Sequence, residues 1–236
     1  MNKRNKSLPK PWVIIPAAGI GSRMQMPTKP KQYYVIDKLS IIEQTLSLFL
    51  HEVFKKIVVA IHKKDTHWNT LSVSSAPEIY TVEGGQTRAE SVWNGLKALE
   101  KFNIQPMDWV LIHDAVRPCL TLEKLTQFIQ MIKTEKVGGL MAIPMRDTLK
   151  YVINNEVSKT ISRMNIWQAQ TPQMFRYAYL VDALKYARLN NISISDEASA
   201  IEQLGHHPRI IRGDSSNIKV TYAEDIDLAN RLLGRK

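Results

Sequence analysis

Residues 13–33 read VIIPAAGIGSRMQMPTKPKQY. An apolar run, Val13-Ile14-Ile15-Pro16, passes straight into Ala17, Ala18, Gly19 and Gly21, and two cations, Arg23 and Lys31, follow. A buried strand feeding a loop of small residues brings backbone N–H groups onto a phosphate chain with no side chain in the way. The cations supply the charge that a reacting phosphate needs. The stretch is not the dinucleotide fingerprint G-x-G-x-x-G, because Arg23-Met24 stands where a third small residue belongs, nor is it G-x-x-x-x-G-K-[ST]. A plain strand-to-helix turn tightened by glycine is the alternative, and the spacing favours a phosphate loop over it.

Outward from this stretch, apolar runs recur at Trp12–Pro16, Ile57–Ile61, Ile79–Val82, Trp109–Ile112 and Leu140–Pro144. Amphipathic stretches lie between them near 41–53, 87–101 and 121–135. In the second, Val92, Leu96 and Leu99 share one face, and Thr87-Arg-Ala-Glu90 opens it as a capping box. In the third, Leu122, Leu125, Phe128, Ile129 and Ile132 form the apolar stripe. Strands alternating with such helices predict βαβ units, an α/β fold with a mostly parallel sheet. Ligands in such sheets sit beyond the carboxyl ends of the strands, where the 17–33 loop and His113-Asp114 fall.

The rhythm breaks at 146–175, where β-like runs flank a turn at Asn154-Asn155-Glu156. This predicts a hairpin projecting from the main sheet over 147–170, either a dimer contact or an ordinary surface hairpin. Helical patterns return at 176–190, 196–204 and 223–233. The whole of 1–236 reads as one domain, with a basic tail at 1–10 that lacks the apolar core of a secretory signal.

The chain carries 32 Lys+Arg against 22 Asp+Glu, a formal charge of +10 that suggests an anionic partner. The cations are scattered and no RNA-stacking or zinc-finger signature accompanies them, so phosphorylated small molecules account for the sign as well as nucleic acid does. No apolar run approaches the length of a membrane span. A single cysteine, Cys119, leaves no internal disulfide and suits a reducing cytoplasm.

Other clusters carry chemistry only weakly by themselves. Gly84-Gly85-Gln86-Thr87-Arg88-Ala89-Glu90-Ser91 follows one strand and opens a helix, so its backbone can approach a flat base. His113-Asp114-Ala115-Val116-Arg117-Pro118 ends another strand; its carboxylate suits a substrate hydroxyl, a metal or a structural Asp–Arg pair. Asp147-Thr148-Leu149-Lys150, Arg163 and Trp167-Gln168-Ala169-Gln170-Thr171-Pro172-Gln173 lie on and after the arm. Ser195-Asp196-Glu197-Ala198-Ser199 reads as a helix cap. Asn217-Ile218-Lys219-Val220-Thr221 reads as a short strand whose lysine touches a phosphate or faces solvent.

The loop resembles the A-A-G-x-G-x-R-M…P-K-Q signature of the pyrophosphorylase-like nucleotidyltransferases. With G-G-x-x-R-x-x-S, H-D-A-x-R-P, D-T-L-K, W-x-A-Q-T-P-Q, D-E-A-S and N-I-K-V-T in order, the chain from Val13 to Asp227 resembles the 2-C-methyl-D-erythritol 4-phosphate cytidylyltransferases. The resemblance implies a Rossmann-like three-layer nucleotidyltransferase fold and a cytoplasmic enzyme of non-mevalonate isoprenoid synthesis. It implies transfer of CMP from CTP to methylerythritol phosphate by in-line attack of the substrate phosphate on the α-phosphorus. Arg23, Lys31, Arg163 and Lys219 are then the catalytic cations. Pro16, Ala17, Ala18, Gly19, Gly21, Gly85, Gln86, Arg88, Ser91 and Asp114 hold CTP. Asp114, Arg117, Thr148, Arg163, Thr171 and Lys219 hold the polyol phosphate, with Thr148 and Arg163 serving the partner's site in a homodimer joined through the arm. Mg²⁺ rides mainly on the CTP phosphates, with Asp114 nearby and no direct protein ligand set.

Three departures stand out. The Met24–Pro30 spacing is one residue longer than the family's and adds Lys29, Val116 replaces a frequent Ala, and Ala223 replaces a Pro. A ribitol 5-phosphate cytidylyltransferase shares the CTP loop and is the nearest rival. A basic nucleic-acid-binding protein and a dinucleotide-dependent oxidoreductase are more distant ones, and neither nucleic acid nor membrane is expected as a partner.

Overall fold

Residues 8–19 and 29–234 are described by a computed structural model. The chain forms, in order, β1 (Trp12–Pro16), β2 (Val35–Ile36), β3 (Leu39–Ser40), α1 (Ile41–Ser47), β4 (Ile57–Ile61), β5 (Ile79–Glu83), α2 (Arg88–Leu99) and β6 (Trp109–Ile112). There follow α3 (Leu122–Ile132), β7 (Gly138–Pro144), β8 (Leu149–Ile153), β9 (Glu156–Ile161), β10 (Trp167–Arg176), α4 (Tyr177–Leu189), α5 (Glu197–Glu202), β11 (Arg209–Arg212) and α6 (Glu224–Leu233).

Seven strands build one sheet in the order β11-β7-β10-β6-β1-β4-β5. All its pairings are parallel except those of β10, which runs antiparallel between β6 and β7. Strand β1 shows why the apolar runs are unbroken. Its Val13 and Ile15 pack under α1 and α3, beside Ile42, Leu46, Phe128 and Ile132. Its Trp12 and Ile14 pack on the opposite face under α2, α4 and α5, beside Leu96, Leu184 and Ile201. A strand covered on both faces has no polar side to show. The result is the three-layer α/β architecture expected. A third, smaller cluster joins α6 to Ile36, Val116 and Val220 through Ala229.

The helix starts agree with their caps. Thr87 accepts from the Glu90 N–H while the Glu90 carboxylate accepts from Thr87, the reciprocal box anticipated. The first helix is shorter than the 41–53 pattern, ending at Ser47. The hairpin β8–β9 turns at Asn154-Asn155, both with positive φ (49° and 65°), the two-residue geometry that Asn tolerates. Its strands are exposed, but Trp167–Ala169 already pair with Ala142–Pro144 in the main sheet, so the arm is narrower than 147–170. Residues 217–221 form no strand. Val220 N–H bonds the Val116 carbonyl, while Thr221 N–H turns to the Asp225 carboxylate and Asn217 is spent on side-chain bonds, so no ladder develops.

Helix α2 sits close on β1. A Cβ at Gly95 would lie 2.8 Å from the Ile14 γ2 methyl, which is fully buried and stiff at χ1. Alanine elsewhere in a helix gains up to about 1 kcal/mol over glycine, and overpacking costs about 1–3 kcal/mol. Gly95→Ala is therefore expected to lower stability by about 1 kcal/mol in urea unfolding, and a raised midpoint contradicts this packing.

Candidate active site

The strand ends and the loops after them meet in one cleft. It is lined by Pro16, Ala17, Ala18 and Gly19 after β1, Lys31 and Gln32, Gly85 to Arg88 and Ser91 around the start of α2, Asp114 to Val116 after β6, and Lys219. Gly21 and Arg23 lie outside the described residues.

Backbone bonds fix the small-residue loop. Ala17 N–H bonds the Ala60 carbonyl at 2.8 Å, and the buried Gln32 amide donates to the Ala17 carbonyl at 2.8 Å. Gly84 passes so close to this loop that a Cβ there would overlap the Ala18 methyl. Ser91 Oγ accepts from Gly85 N–H and donates to the Thr87 carbonyl, shaping the second glycine loop. Of the two neighbouring lysines, Lys31 lines the cleft, whereas Lys29 lies over the Tyr34 ring.

Asp114 is the cleft's one carboxylate among the described residues. Arg88 Nε donates to its Oδ1 at 2.9 Å, Lys219 Nζ lies 2.8 Å from its Oδ2, and Arg117 Nε stands 3.5 Å away. Burial opposes its ionisation, but these three cations outweigh burial and hold its pKa well below the usual carboxylate range. Arg88 is gripped in turn by Glu197, which accepts from both of its terminal nitrogens at 2.6 and 3.1 Å. Burial pushes the Glu197 carboxyl up against the pull of Arg88. With Lys31, four cations face two carboxylates, a surplus that suits a polyanionic substrate.

Behind Asp114 a neutral relay sets its backbone. Asp114 N–H donates to Thr171 Oγ1 at 3.0 Å, Thr171 Oγ1 lies 3.1 Å from His113 Nδ1, and His113 Nε2 lies 3.2 Å from the Arg117 carbonyl. A carbonyl only accepts, so Nε2 carries the proton and Nδ1 accepts from the Thr171 hydroxyl. Burial lowers the His113 pKa to about 4, keeping the ring in that neutral form. Asn217 closes the frame: its carbonyl accepts from Arg117 Nη1 at 2.7 Å and its amide donates to the Thr171 carbonyl at 2.8 Å.

The model of the family 2-C-methyl-D-erythritol 4-phosphate cytidylyltransferase (IspD) matches residues 12–235. The chain belongs to that family. It is 44% identical over 234 residues to the Pseudomonas putida (strain W619) enzyme of that name, covering 98% of this chain and 99% of that one. The Buchnera aphidicola relative is 43% identical over 225 residues, covering 94% and 92%. The crystal structure of the Francisella tularensis member superposes with a TM-score of 0.83 at 36% identity, covering 94% and 99%.

Against the family's motifs, the fold gathers Pro16 to Gly19, Lys31, Gly85, Gln86, Arg88, Ser91, Asp114 and Lys219 in one place. Arg117 and Thr171 are buried behind Asp114, bonded to protein partners. Thr148 and Arg163 stand exposed on the arm, outside the cleft lining, with Arg163 donating to the Arg146 carbonyl. Three residues have roles that sequence reading did not assign: Glu197, which grips Arg88 instead of merely starting a helix, Gln32, and Asn217. No group of three or more His, Cys, Asp or Glu among the described residues is placed to hold a metal ion. Asp114, with both oxygens already on cations, fits a divalent ion only as an outer partner to one carried by substrate phosphates.

Neutral His113 gives the site a pH dependence of known sign. Its folded pKa of about 4 lies below the unfolded value near 6.5, so unfolding takes up a proton between these pH values. Its stabilising contribution is complete above about 6.5 and is lost as pH falls, by about 2 kcal/mol at pH 5. Denaturant unfolding at pH 8 and pH 5 is expected to show that loss in the parent, and a smaller one of about that difference in His113→Gln. Equal losses in both contradict the assignment.

Proposed function

We propose that the chain transfers CMP from CTP to 2-C-methyl-D-erythritol 4-phosphate, releasing pyrophosphate and giving 4-diphosphocytidyl-2-C-methyl-D-erythritol. The observation that carries this reading is the Asp114 centre. One cleft joins a small-residue loop with Lys31, a glycine loop closed by Ser91, and a carboxylate shared by Arg88 and Lys219. Membership of the family supplies the chemistry for which such a cleft is suited.

In this reading cytosine and ribose rest on Pro16 to Gly19, Gly85, Gln86 and Ser91, and the motif adds Gly21 to the CTP set. Arg88 holds Asp114 so that one face of the carboxylate is left for the nucleotide and polyol hydroxyls. The polyol phosphate carries its own nucleophilic oxygen, so no side chain has to remove a proton from it. Lys219 positions that phosphate for attack on the CTP α-phosphorus, and the oxygen linking α- and β-phosphorus leaves with pyrophosphate. Arg23 and Lys31 face the charge that gathers as five oxygens crowd the phosphorus. The triphosphate would carry a Mg²⁺ ion with Asp114 as an outer partner, and that ion would supply Lewis-acid charge for the departing pyrophosphate. Arg117 and Thr171 serve the polyol side, Thr171 by fixing the Asp114 backbone.

The exposed apolar residues of the arm, among them Tyr151, Val152, Val157 and Met164, support a homodimer contact there. Thr148 and Arg163 of one protomer then complete the polyol site of its partner, with Arg163 placing the attacking phosphate. Dependence on CTP points to a cytoplasmic setting. No helix among the described residues is long and apolar enough to cross a membrane.

The test is pyrophosphate release from CTP and Mg²⁺ with methylerythritol 4-phosphate or ribitol 5-phosphate offered separately. Turnover is expected with the first alone; turnover with ribitol phosphate alone overturns the substrate. Lys31→Ala and Lys219→Ala are each expected to lower kcat on the order of 10²- to 10³-fold, with far-ultraviolet dichroism unchanged.

A further inference from the structure

At the opposite end of the sheet from the cleft, a second cavity opens where β6 and β10 have their other ends. It is lined by Leu8 to Lys10, Lys55, Met107 to Trp109, Lys133, Thr134 and Arg176. Four of these side chains are cations and one, Asp108, is an anion. That anion is already committed: its Oδ2 accepts from Lys55 Nζ at 2.9 Å, from Trp12 Nε1 at 2.9 Å and from Gln105 N–H at 3.2 Å.

Asp108 also draws on Arg176, but with its Oδ2 taken by Lys55 it is one carboxylate among the described lining residues against Lys10, Lys133, Arg176 and Lys55, so the concave surface keeps a cationic surplus. Arg176 is the best placed. Its guanidinium carbon lies 3.6 Å from the centre of the Trp109 ring, and Nη1 donates to the Met107 carbonyl at 2.7 Å. Its Nε is buried with no hydrogen-bond acceptor. The ring contact and the Met107 bond hold the guanidinium while leaving donors unspent. Thr134 adds a hydroxyl at the rim.

The shape of the site selects among anions. Trp109 is 5% exposed and Trp12 is 7% exposed, and both rings are covered by cations. Among the described lining residues no aromatic face is left on which a base could stack, so they offer no platform of the kind that single-stranded nucleic acid uses. A held guanidinium sharing one cavity with two lysines matches a compact tetrahedral oxyanion with several charges. We infer that this cavity is a second anion site, separate from the cleft, which takes a phosphate or diphosphate group through Arg176, Lys10 and Lys133.

Isothermal titration of the intact protein with inorganic diphosphate, at low salt and without metal, tests this. The expected result is two classes of site. Lys10→Ala/Lys133→Ala is expected to remove one class or weaken it at least tenfold. Lys31→Ala/Lys219→Ala is expected to remove the other. Arg176→Lys, which keeps the charge and gives up the planar fork, is expected to weaken the first class and leave the second intact. A single class that survives Lys10→Ala/Lys133→Ala unchanged overturns the inference. So does a site on these residues that binds an oligonucleotide but not diphosphate. Thermal unfolding of each unliganded variant at the parent temperature shows that binding, not folding, has changed.

Discussion

The carboxylate of Asp114 is the interaction on which the rest of the site depends. It lies at the carboxyl end of the central strand β6, nearly buried, and three cations reach it from three separate parts of the chain. Taking such a charge out of water is costly unless partners meet it closely. The fold meets it with Arg88 from the start of α2, Arg117 from the loop after β6, and Lys219 from the segment before α6. Those contacts join the start of α2, the loop after β6 and the carboxy-terminal segment at one point. Glu197 extends the join to α5, because its bidentate hold on Arg88 fixes the angle from which Arg88 approaches.

The antiparallel strand β10 explains why the charge cluster keeps its geometry. Between Ala169 and Gln173 its pairing with β7 shifts register, and the residues in that interval turn their polar groups toward the site. Thr171 takes the Asp114 N–H, Gln170 donates to the Asp214 carbonyl, and Gln173 both donates to Asp196 and accepts from Ala198 N–H. Thr171, Gln170 and Gln173 thus each have a partner, which is what allows such polar side chains inside a sheet. The same strand runs on to Arg176 at the far end, so the cleft and the second cationic cavity are built on the two ends of β6 and β10.

Much of this was legible in the residues. Strands buried on both faces must be apolar throughout, and β1, β4, β6 and β7 stood out for that reason, while the edge strand β5 was read from the shorter run Ile79–Val82. Helices α2 and α3 announced themselves through a 3.6-residue stripe and, in α2, a capping box. Strand β10 did not, because Gln168, Gln170 and Gln173 interrupt its apolar pattern, and only their distant partners explain them. Strand β11 is short and largely exposed at the sheet edge, so Arg209–Arg212 gave no periodic signal. In the site, the motif order located Asp114, Lys31, Arg88 and Lys219. Glu197 was hidden behind an ordinary helix start, since its partner Arg88 lies 109 positions away and no local rule links them. That His113 orients the loop through hydrogen bonds could be read from its place beside Asp114, but its link to Thr171 could not, because the two lie 58 positions apart.

The most direct test of the account is the steady-state kinetics of Asp114→Asn with CTP and methylerythritol 4-phosphate varied in turn. Asparagine keeps the shape but gives up the charge that gathers Arg88, Arg117 and Lys219. The expected result is a fall in kcat/KM for both substrates of at least about 10²-fold, in a protein that still folds. Parent-like values for both would contradict the claim that this carboxylate organises the site.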